Sequence, residues 1–200
     1  MNATYTPSSR SALEPVQDEL ELVYLSQQGD REMFARLYVA YTDRIFRYVY
    51  YRVTDRDLAQ DITSHVFLKA WEKLGTYRAG QSPFTAWLYR IAHNAVIDYY
   101  RTYKVSIGLE EADAVVVSHA DEVDERLDLQ FKSHKLRAAL GELTEEQQQV
   151  LILRFVSGLS TLQIAQQLGK RQGAVRALQL RGLKGLAKSP ALQTEQTIDQ

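Results

Sequence analysis

The sequence predicts an all-α protein, built as two small helical domains joined by a flexible acidic linker. Three observations predict it. Apolar residues recur at three- and four-residue spacing through most of residues 20–103 and again through 127–188, and no stretch alternates for long enough to argue for a sheet. Helix-ending residues punctuate that periodicity at Gly29, Gly75, Gly158 and Gly169. Charge is segregated behind a net charge of −1: residues 104–134 carry 3 basic and 8 acidic groups, whereas residues 135–189 carry 9 basic and 3 acidic. A basic C-terminal block behind an acidic linker suggests a nucleic-acid partner.

Composition limits the function classes. The 200 residues suit one or two small domains, and a hydrophobic fraction of 45% is enough for real cores. With no cysteine, disulfides and thiolate metal sites are excluded. No apolar run approaches the roughly 20 residues of a spanning helix. Residues 1–19 lack the apolar core of a signal peptide and read as a disordered lead, so a cytoplasmic location is expected.

In chain order, Leu22, Leu25, Phe34, Leu37, Tyr38, Tyr41, Ile45, Phe46 and Val49 give two helices broken at Gly29-Asp30. Thr54-Asp55 or Asp55-Arg56 opens a third, with Leu58, Ile62, Val66, Phe67, Ala70, Trp71 and Leu74 on its apolar face, and Gly75 ends it. After the loop at 76–83, a fourth helix runs from about Pro83 to Tyr100, Pro being suited to a first turn. Residues 104–126, rich in Asp, Glu, Ala and Val, read as the linker. A fifth helix spans about 124–140. Thr144 caps the next, with Gln147 at the capping-box position and Val150, Leu151, Leu153, Phe155 and Val156 as its packing face. Last come two helices joined by a tight turn. Ser160 or Thr161 caps the first, which presents Leu162, Ile164, Ala165 and Leu168, and Gly169 ends it. The second packs through Ala174, Val175, Leu178, Leu183 and Leu186, with Arg171, Gln172, Arg176, Gln179 and Arg181 turned mostly elsewhere. Residues 189–200 form a tail.

Little here points to catalysis. His65, His93, His119 and His134 form no pair of metal-ligand spacing, no Gly-rich phosphate loop is present, and Asp57 and Asp61 read as a solvated helix face. No cofactor or metal is expected. The last two helices suit a helix-turn-helix whose second helix enters the major groove, where Arg pairs with guanine and Gln with adenine; an ordinary helical hairpin with a basic face fits the same residues. Between Tyr77 and Tyr103, seven aromatic residues interleave with Arg78, Arg90, Arg101 and Lys104. Aromatic faces stack on unpaired bases and the cations neutralise phosphates. About half of these rings are expected to be core, but the loop residues Tyr77 and Arg78 are expected to be free.

Three stretches carry a resemblance to a known family. Asp61-Ile62-Thr63 followed by Val66-Phe67-Leu68-Lys69-Ala70-Trp71 resembles the core-polymerase-binding helix of the sigma-70 family, in its extracytoplasmic-function (ECF) subfamily. Residues 83–94 resemble its −10 recognition helix, and Leu153-Arg154-Phe155 through Gly169 with Gly173-Ala174-Val175-Arg176 resembles its region 4. The likeness covers about residues 20–188 and implies a region 2-like domain at 20–103 and a region 4-like helix-turn-helix domain at 127–188. It implies a transcription initiation factor whose partners are core RNA polymerase, through its β′ and β subunits, promoter DNA and an anti-sigma factor. Residues implied to meet polymerase are Asp57, Asp61, Ser64, His65, Phe67 and Leu68; the −10 element, Tyr77, Arg78, Phe84, Trp87, Arg90, Asn94 and Arg101; the −35 element, Arg171, Gln172, Arg176, Gln179, Arg181 and Lys184. The sequence departs from the family pattern at Ser64 and His65, where Gln and an acid are usual, at Gln163, where Glu is usual, and at Arg171, where a small hydroxylated cap is usual. The alternative reading is a helix-turn-helix transcription regulator with a helical sensor domain. A helical scaffold with no nucleic-acid role is the third class.

Overall fold

Helix caps divide the chain much as its glycines and hydroxyl-bearing residues suggest. The computed structural model describes residues 19–53, 55–107 and 127–193; most of the lead and the acidic linker from 108 to 126 lie outside these, as does most of the tail. Helices α1 (Glu19–Gln27), α2 (Arg31–Tyr50), α3 (Arg56–Lys73) and α4 (Phe84–Ile107) form the first unit. Helices α5 (Leu127–Gly141), α6 (Glu145–Leu151), α7 (Thr161–Leu168), α8 (Gln172–Lys188) and α9 (Pro190–Gln193) form the second. All regular structure among the described residues is helical. None of these helices is long and apolar enough to cross a membrane.

Gly29 takes φ 93° and frees the chain to turn between α1 and α2. The Asp30 side chain then accepts from the Glu32 and Met33 N–H groups, so α2 starts there. Asp55 does the same for α3, accepting from the Leu58 N–H at 2.8 Å. Leu37, Tyr41, Ile45, Tyr48 and Val49 of α2 meet Ile62, Val66 and Ala70 of α3 and Leu88, Ala92 and Val96 of α4 in one core. The fourth helix continues to Ile107, past the expected end at Tyr100.

In the second unit, α6 gives way to a π-helical turn, Ile152–Val156. The extra residue in that turn shifts the phase of everything after it. Val150, Leu151, Ile152 and Leu153 are all buried, while Phe155, expected on the packing face, is exposed. Ser160 and Gln163 make a full capping box at α7: the Gln163 N–H donates to Ser160 Oγ and the Ser160 N–H to Gln163 Oε1. Gln at position 163 therefore does the work a Glu would do. Gly169 ends α7 at φ 62°.

The inner face of α8 is Val175, Leu178 and Gly182. Leu183 and Ala174, expected inside, are exposed, and so is Leu162 of α7. The difference lies in two glycines. A Cβ at Gly182 would come within 2.9 Å of Leu151 Cδ1, and one at Gly185 within 2.5 Å of Leu143 Cδ2. Helix α8 approaches α6 and the turn before it too closely for side chains there, so bare backbone occupies the row that Leu183 was expected to fill. Residues 190–193, expected in the tail, form the short helix α9.

Candidate nucleic-acid and polymerase interfaces

Helix α3 is buried along one side and polar along the other. Ala59, Ile62, Thr63, Val66, Phe67 and Ala70 face the core. Asp57, Asp61, Ser64, His65 and Leu68 follow at three-, four- and seven-residue offsets and are all exposed. They form one continuous stripe, with Leu68 a 54% exposed apolar residue at its end. Ser64 Oγ donates back to the Gln60 carbonyl at 3.0 Å. Phe67 does not join this stripe. It is 4% exposed and packs edge-on against Tyr38 at 4.7 Å between ring centroids, because position 67 sits one residue off the outward row.

The loop before α4 holds a larger correction. Tyr77 is expected to offer a free face to unpaired bases, and the family resemblance assigns Phe84 and Trp87 to the −10 element beside it. They are instead 4%, 1% and 6% exposed. Their rings pack on one another at 5.3–5.5 Å between centroids, and Phe84 also meets Tyr41 of α2. Long-range tethers explain it. The Gln27 amide of α1 donates to the Leu74 and Tyr77 carbonyls at 2.9 and 3.0 Å, and the Tyr77 hydroxyl donates to the Ser82 carbonyl at 2.9 Å. The loop is thereby sewn onto the bundle, and burial raises the Tyr77 pKa above its ordinary value.

Arg78 remains exposed, its guanidinium donating to the Gly75 and Tyr77 carbonyls. Arg90, Asn94 and Arg101 line an exposed edge of α4, where Arg101 pairs with Asp98 at 2.9 Å. The half-buried rings of Tyr99 and Tyr103 stack at 5.9 Å on the same helix.

The second helix of the helix-turn-helix, α8, shows its cations to solvent. Arg171, Gln172, Arg176, Arg181 and Lys184 are exposed and Gln179 half-buried. Arg176, Leu180 and Lys184, four apart, form the outermost row opposite Val175, Leu178 and Gly182. Leu180 was not foreseen; its 57% exposure puts an apolar tip between two cations. Arg171 stands at the N-cap with no side-chain cap bond. The first-turn N–H groups of α8 are thus left for an outside acceptor.

No group of three or more metal-binding side chains occurs among the described residues.

Comparison with known proteins agrees with this division. Residues 37–105 match the family model for Sigma-70 region 2, and residues 133–186 that for Sigma-70, region 4. The chain is 35% identical over 170 residues to the ECF RNA polymerase sigma factor BldN of Streptomyces coelicolor, an alignment covering 84% of this chain and 64% of BldN. It is 32% identical over 142 residues to the RNA polymerase sigma factor YlaC of Bacillus subtilis, covering 70% of this chain and 81% of YlaC. The fold is shared with CnrH in complex with the cytosolic domain of CnrY (TM-score 0.65, 21% identity, 84% of this chain and 93% of that one). It is shared too with the sigma factor RpoE in complex with the anti-sigma factor NepR from Bartonella quintana (TM-score 0.63, 24% identity, 76% and 93%). With two family regions matched in order on two helical units, the chain belongs to the sigma-70 family, as an extracytoplasmic-function RNA polymerase sigma factor.

Proposed function

We propose that the chain binds core RNA polymerase, through its β′ and β subunits, and directs it to promoters whose −10 and −35 elements its two domains recognise. The domains run over residues 20–103 and 127–188. In this reading the α3 stripe of Asp57, Asp61, Ser64, His65 and Leu68 meets polymerase. The loop at 76–83 and the exposed edge of α4, with Arg78, Arg90, Asn94 and Arg101, hold the −10 strand. Helix α8 reads the −35 duplex through Arg171, Gln172, Arg176 and Gln179, with Arg181 and Lys184 on phosphates. The observation that carries the reading is the outward row of Arg176, Leu180 and Lys184 on the second helix of a helix-turn-helix, in a segment that matches region 4. A regulator with a helical sensor domain is disfavoured because residues 37–105 match region 2. An anti-sigma partner is part of the proposal; it is supported by RpoE, a relative in fold whose structure contains one.

A binding assay on a library of −35 duplexes at several salt concentrations tests the reading. Arg176→Ala lowers affinity by about 1–3 kcal/mol and relaxes preference at one or two positions. Lys184→Ala weakens all sequences alike and flattens the salt slope by about one unit or less. A uniform loss on Arg176→Ala would make that arginine a phosphate clamp and remove the base-reading role.

A further inference from the structure

Helix α1 lies ahead of the segment that matches region 2, which begins at residue 37, yet both of its ends hold the loop between α3 and α4. Gln27, its last residue, donates one amide hydrogen to the Leu74 carbonyl at 2.9 Å and the other to the Tyr77 carbonyl at 3.0 Å. Glu19, its first, accepts the Tyr41 hydroxyl and the Phe84 N–H, one of the orphan donors at the start of α4. A carboxylate there also suits the positive end of the α4 dipole. Arg44 supplies a nearby positive charge, its guanidinium lying over the Tyr41 ring at 5.4 Å.

The two anchors are roughly 12 Å apart along α1, at about 1.5 Å per residue. Between the points they hold, the chain doubles back, because the rings of Tyr77 and Phe84 meet at 5.3 Å. Arg78, Ala79, Gly80 and Gln81 are all exposed on that segment. Within it the Gln81 N–H reaches the Arg78 carbonyl only at 3.3 Å, and Gly80 sits at φ 92°, a residue free to take other shapes. The shape of the loop is therefore imposed from its ends.

We propose that α1 is a brace for the −10 loop, with Glu19 and Gln27 as positioning residues that keep residues 77–84 in the shape that receives an unpaired strand. This rests on the −10 reading proposed above. Both side chains turn inward onto the ends of the loop, so neither has to touch DNA. A loop ordered before it meets the strand loses no further conformational freedom on binding, and its contacts then count in full.

Gln27→Glu keeps the size of the side chain but puts an acceptor where two carbonyls need a donor. Glu19→Ala frees the other end, whereas Glu19→Gln keeps an acceptor there. Hydrogen exchange in the full chain reads the brace directly. The Tyr77 amide in Gln27→Glu, and the Phe84 amide in Glu19→Ala, exchange about tenfold faster, while those of Ile45 and Val66 in the core are unchanged. Holoenzyme assembled with core polymerase is then titrated onto duplexes whose random −10 segment is held unpaired. With the chain saturating core enzyme, Gln27→Glu and Glu19→Ala bind this library about tenfold more weakly than the parent, and Glu19→Gln binds nearly as the parent does. Affinity for core polymerase and for −35 duplexes is the same in all of them. Unchanged exchange at Tyr77 and Phe84, or a binding loss that vanishes once the chain saturates core enzyme, overturns the brace. Brace variants that bind like the parent beside weakened Arg90→Ala and Asn94→Ala sink the brace alone; if all of these bind like the parent, the −10 reading falls with it.

Discussion

Tyr77 separates two roles that an aromatic next to a DNA-facing loop can have. As a buried ring, its replacement by Ala leaves a cavity against Phe84 and Trp87, and the expected cost is about 3–5 kcal/mol in urea unfolding, as for other large aromatics. Tyr77→Phe keeps the ring and removes one hydrogen bond to Ser82, for about 1 kcal/mol. A Tyr77→Ala variant as stable as the parent would return the ring to the surface. The residue's fate was illegible in the sequence because Gln27, which fixes the loop, lies 50 positions away. A loop aromatic flanked by Arg78 reads as exposed until that tether is seen.

His93, held between Arg52, Gln149 and Glu145, gives the fold a pH dependence. Two donors, from Arg52 and Gln149, converge on Nδ1, so the neutral ring carries its proton on Nε2, towards Glu145. Burial, and then the Arg52 charge, hold its pKa below the ordinary 6.5, with Glu145 opposing. The folded chain therefore binds a proton at His93 less readily than the unfolded chain, where the ring is solvated. The contribution of this site to stability is at full strength above about pH 6.5 and weakens as the pH falls below it, because the unfolded chain then gains the proton. The urea midpoint should fall between about pH 7 and pH 5.5 by more in the parent than in His93→Gln; an equal fall in both would contradict the assignment.

At the scale of an element, α3 was the most legible. Its period placed Ile62, Val66, Phe67 and Ala70 inside, where they are, and Asp57 and Asp61 on a solvated face; only the family resemblance, which assigned Phe67 to polymerase, met a buried ring there. Asp61→Arg reverses charge in the middle of the exposed stripe without touching the core. It should weaken co-purification with core polymerase while the helical signal is unchanged; undiminished binding would take Asp61 out of the interface. Helix α8 was less legible, because period-counting treats glycine as an absence. Gly182 and Gly185 are instead where α8 meets Leu151 and Leu143, and that contact sets which row of α8 faces outward. The π-helical turn at 152–156 was invisible for a related reason, since no residue type announces an inserted position.

At the scale of the molecule, the sequence carried the order of the helices, the break between two units and the basic block at residues 135–189, because caps, period and charge are local properties. The approach of the units was not legible. Arg52, Glu145, Gln149 and His93 are ordinary polar residues in sequence, and only their meeting across the fold makes a buried network of them. The central claim concerns what the whole chain does to polymerase. Run-off transcription with purified core enzyme and a genomic promoter pool tests it most directly. The account predicts discrete start sites that appear only when the chain is added, preceded by shared −35 and −10 sequences. A folded chain that binds core enzyme yet yields the same transcripts as core alone would contradict it.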